Sequence, residues 1–369
     1  MQPIVRAFPG LVLAIAAAAT AVAQPPAQGS PPAQQGAPAP GAPPAQGAPP
    51  PGRGAVAPEP PPSPAAVERA AQILAETRKA LGGPALDAVT TVVATGRTRR
   101  VRGDNLVPIE FEISIQLPDK YARKDESPAE ESEPTSTGFN GSDVIQFPVQ
   151  PARAGGPGAP PPGRPGGPAP TPEQLAAQQA AQRATRLANT KQEFARLALG
   201  MFARSLETYP MTFAFAAQAQ APQGTADVID VRGGGNFSAK LFIASDTHLP
   251  IMLSWQAPPT NVIVTTPGQP PPRTVAPGAV IISAPAAPAQ SASAEERDNY
   301  TKQVTALRQK AQATPIEYRF YYADYRDVNG VKFPFRLRRA IGTDTTEETT
   351  FDRFRLNTQI DPRKFAVPK

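Results

Sequence analysis

The residue types most able to do chemistry stand alone or in turns of this sequence. His248 is the only histidine, and Ser245 and Asp246 precede it within one short segment. A catalytic triad needs side chains that converge from separate segments, so these neighbours cannot form one. We interpret His248 as a turn residue. The absence of cysteine excludes a thiol nucleophile, a disulfide and a Cys-ligated metal.

The acidic residues and glycine runs also fit simple structural roles. Asp324 and Asp327 before Asn329 resemble part of a calcium loop, but the spacing is not that of an EF-hand, and a hairpin turn explains them. The run 233–235 has no following Lys-Ser/Thr and is interpreted as a turn. Three glutamates could in principle act as acid and base, but they lie in a Ser/Pro/Glu segment that we interpret as solvated: Glu130, Glu131 and Glu133. We therefore predict no catalytic residue, no metal site and no cofactor.

Arginine clusters on two predicted strands. The residues are Arg97, Arg99, Arg100, Arg102, Arg336, Arg338 and Arg339. Such basic faces suit contact with anionic lipid or an acidic partner, and equally suit protection of an exposed sheet edge from aggregation. Nucleic acid is not an expected partner, because the chain shows export features and no basic domain.

Composition divides the chain. Residues 1–23 contain Arg6, an apolar run and Ala21-Val22-Ala23, which predicts a signal peptide cleaved after Ala23 and export to the periplasm, or secretion. The 49 prolines and 28 glycines concentrate at 24–62, 148–170 and 258–288. Such tracts are typical of disordered or polyproline-like linkers. We predict a linker over 24–62 and one domain over 63–369 with Pro-rich insertions at about 148–170 and 258–293.

Three helices should pack against the rest of the domain. The first runs from about Pro64 to Ala80 behind the Ser63 cap, and the second from Thr171 to about Leu199, with Gly200 as a stop. The third spans 294–313. The second and third begin with capping boxes.

The remaining sequence alternates apolar and polar residues with a period of two. Residues 109–117 are the clearest single strand, and 316–337 form the clearest hairpin, with its turn at Asn329-Gly330. We predict about eleven short strands in a curved, half-open antiparallel β-barrel, in a mainly β (α+β) fold with covering helices.

Several short motifs resemble the LolA/LolB-like family of periplasmic lipoprotein carriers. Residues 117–123 (LPDKYAR) are similar to an early strand of that family, and 138–145 (GFNGSDVI) to its next hairpin. Residues 357–368 (NTQIDPRKFAVP) look like its closing segment. The resemblance implies an eleven-stranded half-open barrel with a helical lid, which holds acyl chains and does not catalyse a reaction.

The hypothesis is thus a periplasmic, monomeric carrier that accepts the acyl chains of a lipoprotein or lipid and passes them to an envelope acceptor or membrane complex. Acyl burial contributes about 0.8 kcal/mol per CH₂ group. The predicted cavity lining is Phe111, Ile113, Ile115, Phe213, Phe215, Ile251, Leu253, Trp255, Phe333, Phe335 and Leu337.

Two alternatives stay open at this point: a structural or adhesive envelope protein with a packed β core, and an unrecognised hydrolase. A large empty apolar cavity favours the carrier, and a filled interior favours the structural protein.

Overall fold

The computed structural model describes residues 61–102, 105–128, 133–148, 171–221, 224–268 and 275–367. The predicted signal peptide, the linker 24–62 except its last two residues, and nearly all of the tract 148–170 lie outside these residues. The described helices are α1 (Pro64–Leu81), α2 (Pro84–Asp87), α3 (Pro172–Phe202) and α4 (Ala294–Ala313), and a 3₁₀ turn spans Pro362–Phe365. Within the described residues no helix is long and apolar enough to cross a membrane.

The helix starts follow the predicted capping chemistry. The Ser63 hydroxyl accepts a hydrogen bond from the amide of Ala66, and both Thr171 and Ser293 form capping boxes. Helix α3 does not stop at Gly200. It continues to Phe202 and ends at Ala203, which adopts the left-handed conformation.

A single sheet dominates the fold. Its strands are β1 (Thr91–Arg102), β2 (Asn105–Gln116), β3 (Lys120–Glu126), β4 (Thr135–Asn140), β5 (Asp143–Phe147), β6 (Met211–Ala221), β7 (Gly224–Gly233), β8 (Phe237–Ala244), β9 (Pro250–Ala257), β12 (Ile316–Val328), β13 (Val331–Ile341) and β14 (Asp344–Leu356). The order β5-β4-β3-β2-β1-β14-β13-β12-β9-β8-β7-β6 is antiparallel throughout, and the edge strands β5 and β6 do not pair with each other. The mainly β fold with an open antiparallel sheet is therefore confirmed.

The sheet joins two meanders at the β1–β14 pair. In that pair the N-terminal strand of the first meander is hydrogen-bonded to the C-terminal strand of the second, with a register shift at Thr95/Gly96. Gly96 fits there because a Cβ would lie 2.3 Å from the Thr350 carbonyl oxygen. The predicted turn at Asn329-Gly330 joins β12 to β13, with φ of 55° and 85°.

The third Pro-rich tract is not wholly irregular. It contains β10 (Asn261–Thr265) and β11 (Ala279–Ser283), which form a separate parallel pair. The expectation of a linker was wrong in this part, because Val262 and its apolar neighbours find a pairing partner across the tract and Val262 is buried. Helix α4 contacts this pair and buries only Ala311 along its length.

The two faces of the sheet have different environments. We call the face packed against α1 and α3 the inner face, and it carries the main hydrophobic core. The opposite, outer face carries two small clusters, one of which is covered by the C-terminal segment around Ile360 and Phe365.

Candidate functional site

The inner face brings together nearly all of the predicted lining residues. Seven are buried in the main core: Phe111, Ile113, Ile115, Leu253, Phe333, Phe335 and Leu337. Three more are partly buried and pack against it: Phe213, Phe215 and Trp255. Whether these side chains contact a ligand remains a prediction, but the structure places them on one surface.

Ile251 does not share this surface. The register between β8 and β9 shifts between Phe242 and Ile243, so that Phe242 faces Met252 and Ile243 faces Pro250. The expected alternation of Ile251 with Leu253 is lost at this irregularity. Ile251 is instead exposed and lines an outer-face groove with Met252.

The interior that the sequence suggested as a cavity is occupied by the C-terminal half of α3. Every residue from Phe194 to Phe202 is buried. Between this helix and the sheet, near Leu197 and Leu337, lies a small pocket of about 30 Å³. The apolar run LALGMF (197–202) in α3 was the available sequence signal for this role, but it does not reveal that the helix lies inside the sheet.

A glycine and two tyrosines position α3 closely against the sheet. A Cβ at Gly200 would lie 2.2 Å from two ring atoms of Tyr322. The Tyr322 hydroxyl donates to the carbonyl of Arg196 at 2.5 Å, and the Tyr325 hydroxyl donates to that of Gly200 at 2.8 Å. Burial raises the pKa of both tyrosines, so they remain neutral donors.

The N-terminal part of α3 leaves the sheet. Residues 172–181 are exposed, and in the following turns Leu187 packs against the main core while polar contacts hold the helix to the sheet. Arg186 donates to Gln146 at 3.1 Å, and the Gln192 amide donates to the carbonyl of Gly235 at 3.3 Å. The helix is therefore firmly packed at one end and loosely held at the other.

An ion-pair network lies where the buried part of α3 begins. Glu193 of α3 pairs with Arg339 of β13 at 2.6 Å and with Arg196 on its own helix. Arg339 also lies 3.7 Å from Glu347 of β14, which pairs with Arg100 of β1 at 2.9 Å.

Electrostatics keep this network ionised. Burial opposes the charge on Glu193, but Arg339 and Arg196 outweigh it and lower its pKa. Burial likewise opposes the charge on Glu347, and Arg339, Arg123 and Arg100 outweigh it, so that this pKa is also lowered. Partly buried ion pairs of this kind favour one arrangement of α3 and contribute less to net stability than their geometry suggests.

Trp255 lies beside the network. Its ring stacks on Tyr318 at 5.6 Å between centroids, and the Arg196 guanidinium lies 4.3 Å above it. The Arg196 Nε atom is buried and has no hydrogen-bond partner among the described residues. Since Arg196 belongs to α3, any movement of that helix changes the environment of the only tryptophan.

The arginines on β1 and β13 do not form one basic face. Arg100 and Arg339 lie on the inner face and belong to the ion-pair network, whereas Arg336 and Arg338 line a groove on the outer face. Both strands lie inside the sheet, so protection of a sheet edge was the wrong interpretation. The side chain of Arg102 lies outside the described residues.

The outer face has two open grooves. One, of about 590 Å³, is lined mainly by apolar side chains that include Phe242 and Met252. The other, of about 1060 Å³, lies between β1–β5 and the C-terminal segment and carries charges of both signs, among them Lys364 paired with Glu112.

The isolated polar residues have separate contacts. The His248 Nδ1 atom lies 3.7 Å from Glu76, while the Ser245 hydroxyl lies 3.5 Å from Asp227. Asp327 accepts the amide of Gly330 at 3.0 Å, which is a turn contact. These side chains do not converge on one point.

Comparison with known proteins gives similarity at the level of fold. No family model and no curated protein matches the chain. The chain is similar to a solved LolA superfamily protein from Nitrosomonas europaea, with a TM-score of 0.39, 11% identity, and coverage of 80% of this chain and 97% of that one. A domain assigned to outer membrane lipoprotein sorting, from Vibrio parahaemolyticus, gives 0.37, 8%, 80% and 97%.

A DUF1329 family protein from Desulfovibrio piger gives a TM-score of 0.35 and 7% identity, with coverage of 82% and 97%. One of these structures is a member of the LolA superfamily, which the sequence motifs resemble. TM-scores of this size support no inference about the cargo of this chain.

Proposed function

We propose that this protein is a periplasmic carrier or binding module that accepts an acyl chain of a lipoprotein or lipid between α3 and the inner face. The observation that supports it is the cover of that face: the buried half of one helix fills the interior, and the other half is exposed. Displacing α3 would uncover a continuous apolar surface that includes Phe333 and Leu337. No catalytic step is proposed.

The energies make such an exchange feasible. Withdrawal of α3 exposes five large buried side chains: Phe194, Leu197, Leu199, Met201 and Phe202. At roughly 1.5–3 kcal/mol each, their exposure costs about 8–15 kcal/mol. A sixteen-carbon chain recovers about 12 kcal/mol at about 0.8 kcal/mol per CH₂ group. The two states are therefore close enough in free energy for an acyl chain to replace the helix.

Trp255 provides the test. A synthetic lipopeptide with a palmitoyl chain should change its emission saturably in the purified protein, because α3 carries Arg196 away from the indole. Phe215→Glu, on the inner face at the edge strand β6, should weaken the response. Ile251→Glu is the matched control, since it places the same charge on the outer face. Circular dichroism should show the sheet intact in both variants.

The second candidate is a structural or adhesive envelope protein. It is favoured by the filled interior, where every residue of α3 from Phe194 to Phe202 is buried. Unchanged Trp255 emission with every lipid class, together with no lipid in native mass spectra of the protein purified from the periplasm, would support this candidate and refute the carrier.

In the carrier proposal the protein acts as a monomer and releases its cargo to an acceptor with a better apolar site.

A further inference from the structure

The sheet carries more positive than negative charge where it meets α3. Among the described inner-face residues of this region, the cations are Arg100, Arg123 and Arg339, and the anions are Asp125 and Glu347. Arg123 pairs with Asp125 at 2.6 Å, and Arg100 pairs with Glu347 at 2.9 Å. Among the described residues of the sheet, the carboxylate left to Arg339 is therefore that of Glu347, at 3.7 Å.

Helix α3 supplies the missing negative charge. The Glu193 carboxylate lies 2.6 Å from the Arg339 guanidinium, the shortest ion pair of that arginine. The Glu193 side chain is 43% exposed, whereas that of Glu347 is 11% exposed. Glu193 thus lies at the solvent-facing end of the network, where an incoming group can reach Arg339.

Displacement of α3 removes this carboxylate. Arg339 would then face the apolar interior beside Phe320, whose ring lies 4.7 Å from its guanidinium. Its remaining carboxylate would be Glu347, 3.7 Å away and already paired with Arg100 at 2.9 Å. Removing the closer partner of a partly buried cation is costly, so a ligand that supplies an anion is favoured over one that does not. Carboxylate and phosphate groups suit a guanidinium because both accept two hydrogen bonds in its plane.

We propose that the acyl ligand carries a single anionic head group, and that this group replaces the Glu193 carboxylate at Arg339 when α3 is displaced. The inference rests on the proposed function and adds the chemical class of the ligand to it. Glu193 then acts as an internal substitute for the head group and competes with it.

The test compares ligands with one chain and different heads. Dodecanoate, dodecyl phosphate and monododecanoylglycerol, each below its micellar concentration, are titrated into the full chain and followed by Trp255 emission and calorimetry. Glu193→Gln should tighten binding of the two anionic ligands on the order of tenfold, with a much smaller gain for the neutral glyceride. Glu193→Gln combined with Arg339→Gln should lose the selective gain.

Glu348→Gln is the control, because Glu348 neighbours Glu347 in sequence but lines the outer groove. It should leave the ratio of anionic to neutral affinity unchanged. Acetate and inorganic phosphate should not bind saturably, since they cannot replace the apolar side chains of α3, and saturable binding of either would overturn the acyl assignment.

Two further outcomes separate the inference from the proposed function. Equal gains for dodecanoate and monododecanoylglycerol in Glu193→Gln would show that the variant only loosens α3, and would overturn head-group recognition while the carrier stands. No binding of any probe to any variant would refute the carrier and the inference together. Thermal unfolding of each variant checks that the fold is retained.

Discussion

Gly200→Ala tests directly whether α3 is a displaceable cover. The added Cβ would lie 2.2 Å from Cδ1 and Cε1 of Tyr322, whereas ordinary carbon contacts are about 3.5–4.0 Å. Helix and ring must therefore separate by roughly 1.5 Å. The separation strains the hydrogen bonds from Tyr322 to Arg196 and from Tyr325 to Gly200.

The expected loss of stability can be estimated from these contacts. Overpacking of a core costs about 1–3 kcal/mol, and a contact this short belongs at the upper end. The gain in helix propensity from glycine to alanine offsets about 1 kcal/mol. The net loss of about 2 kcal/mol corresponds to a fall of about 4–8 °C in Tm for a domain of this size.

Ligand binding should change in the opposite direction. If α3 must leave the sheet before an acyl chain enters, destabilising the packed helix by about 2 kcal/mol lowers the cost of opening, and dodecanoate should bind about thirtyfold more tightly. The assays are differential scanning calorimetry and Trp255 emission. A lower Tm with unchanged or weaker binding would show that α3 is permanent core and would refute the displacement mechanism.

The matched control is Gly234→Ala. No atom lies within 4 Å of a Cβ at that position, and its φ is not in the left-handed region. Stability should stay within about 0.5 kcal/mol and ligand affinity should not change.

Three further predictions concern titratable residues. Burial raises the pKa of Tyr121 to about 12 from 10.0, so its stabilising contribution is complete below pH 10 and is lost between pH 10 and 12. Tyr121 should contribute about 1.4 kcal/mol per pH unit to the fall in the free energy of urea unfolding there, and Tyr121→Phe should reduce the slope by that amount. The lowered pKa of Glu347 gives stability that is present above pH 4.5 and is lost as the pH falls through the folded pKa of this residue. Glu347→Gln should therefore cost about 2–3 kcal/mol at pH 7 and make the free energy of unfolding less dependent on pH in the acid range. An unchanged pH profile would contradict the ion-pair network described for Glu347. His248→Ala should leave acyl binding unchanged in the same titration, because the His248 side chain is 41% exposed and belongs to a turn; a large loss of function at unchanged stability would favour the hydrolase alternative.

Local patterns in the sequence determined most of the elements. The caps Ser63, Thr171 and Ser293 mark helix starts because their side chains satisfy amides that are adjacent in the chain. The period of two in 109–117 marks a strand for a similar reason, since alternation reports which side chains one sheet face can bury. Both signals are local, and both were sufficient to predict a mainly β fold with three long helices.

The tertiary structure alone decided how these elements combine. The pairing of β1 with β14 joins residues 247 to 264 positions apart, and the register shift at Phe242/Ile243 moved Ile251 to the outer face. Each changes the environment of side chains without any local signal, because register depends on the neighbouring strand.

The candidate site depended on tertiary structure most of all. The sequence identified the apolar inner face, but not that α3 fills it or that Glu193 meets Arg339, 146 positions away. Helical periodicity shows that a helix has an apolar side, and it does not show which surface that side covers. Only the tertiary structure shows that α3 covers the inner face, because this one helix must both bury the apolar side chains of that face and place Glu193 beside Arg339.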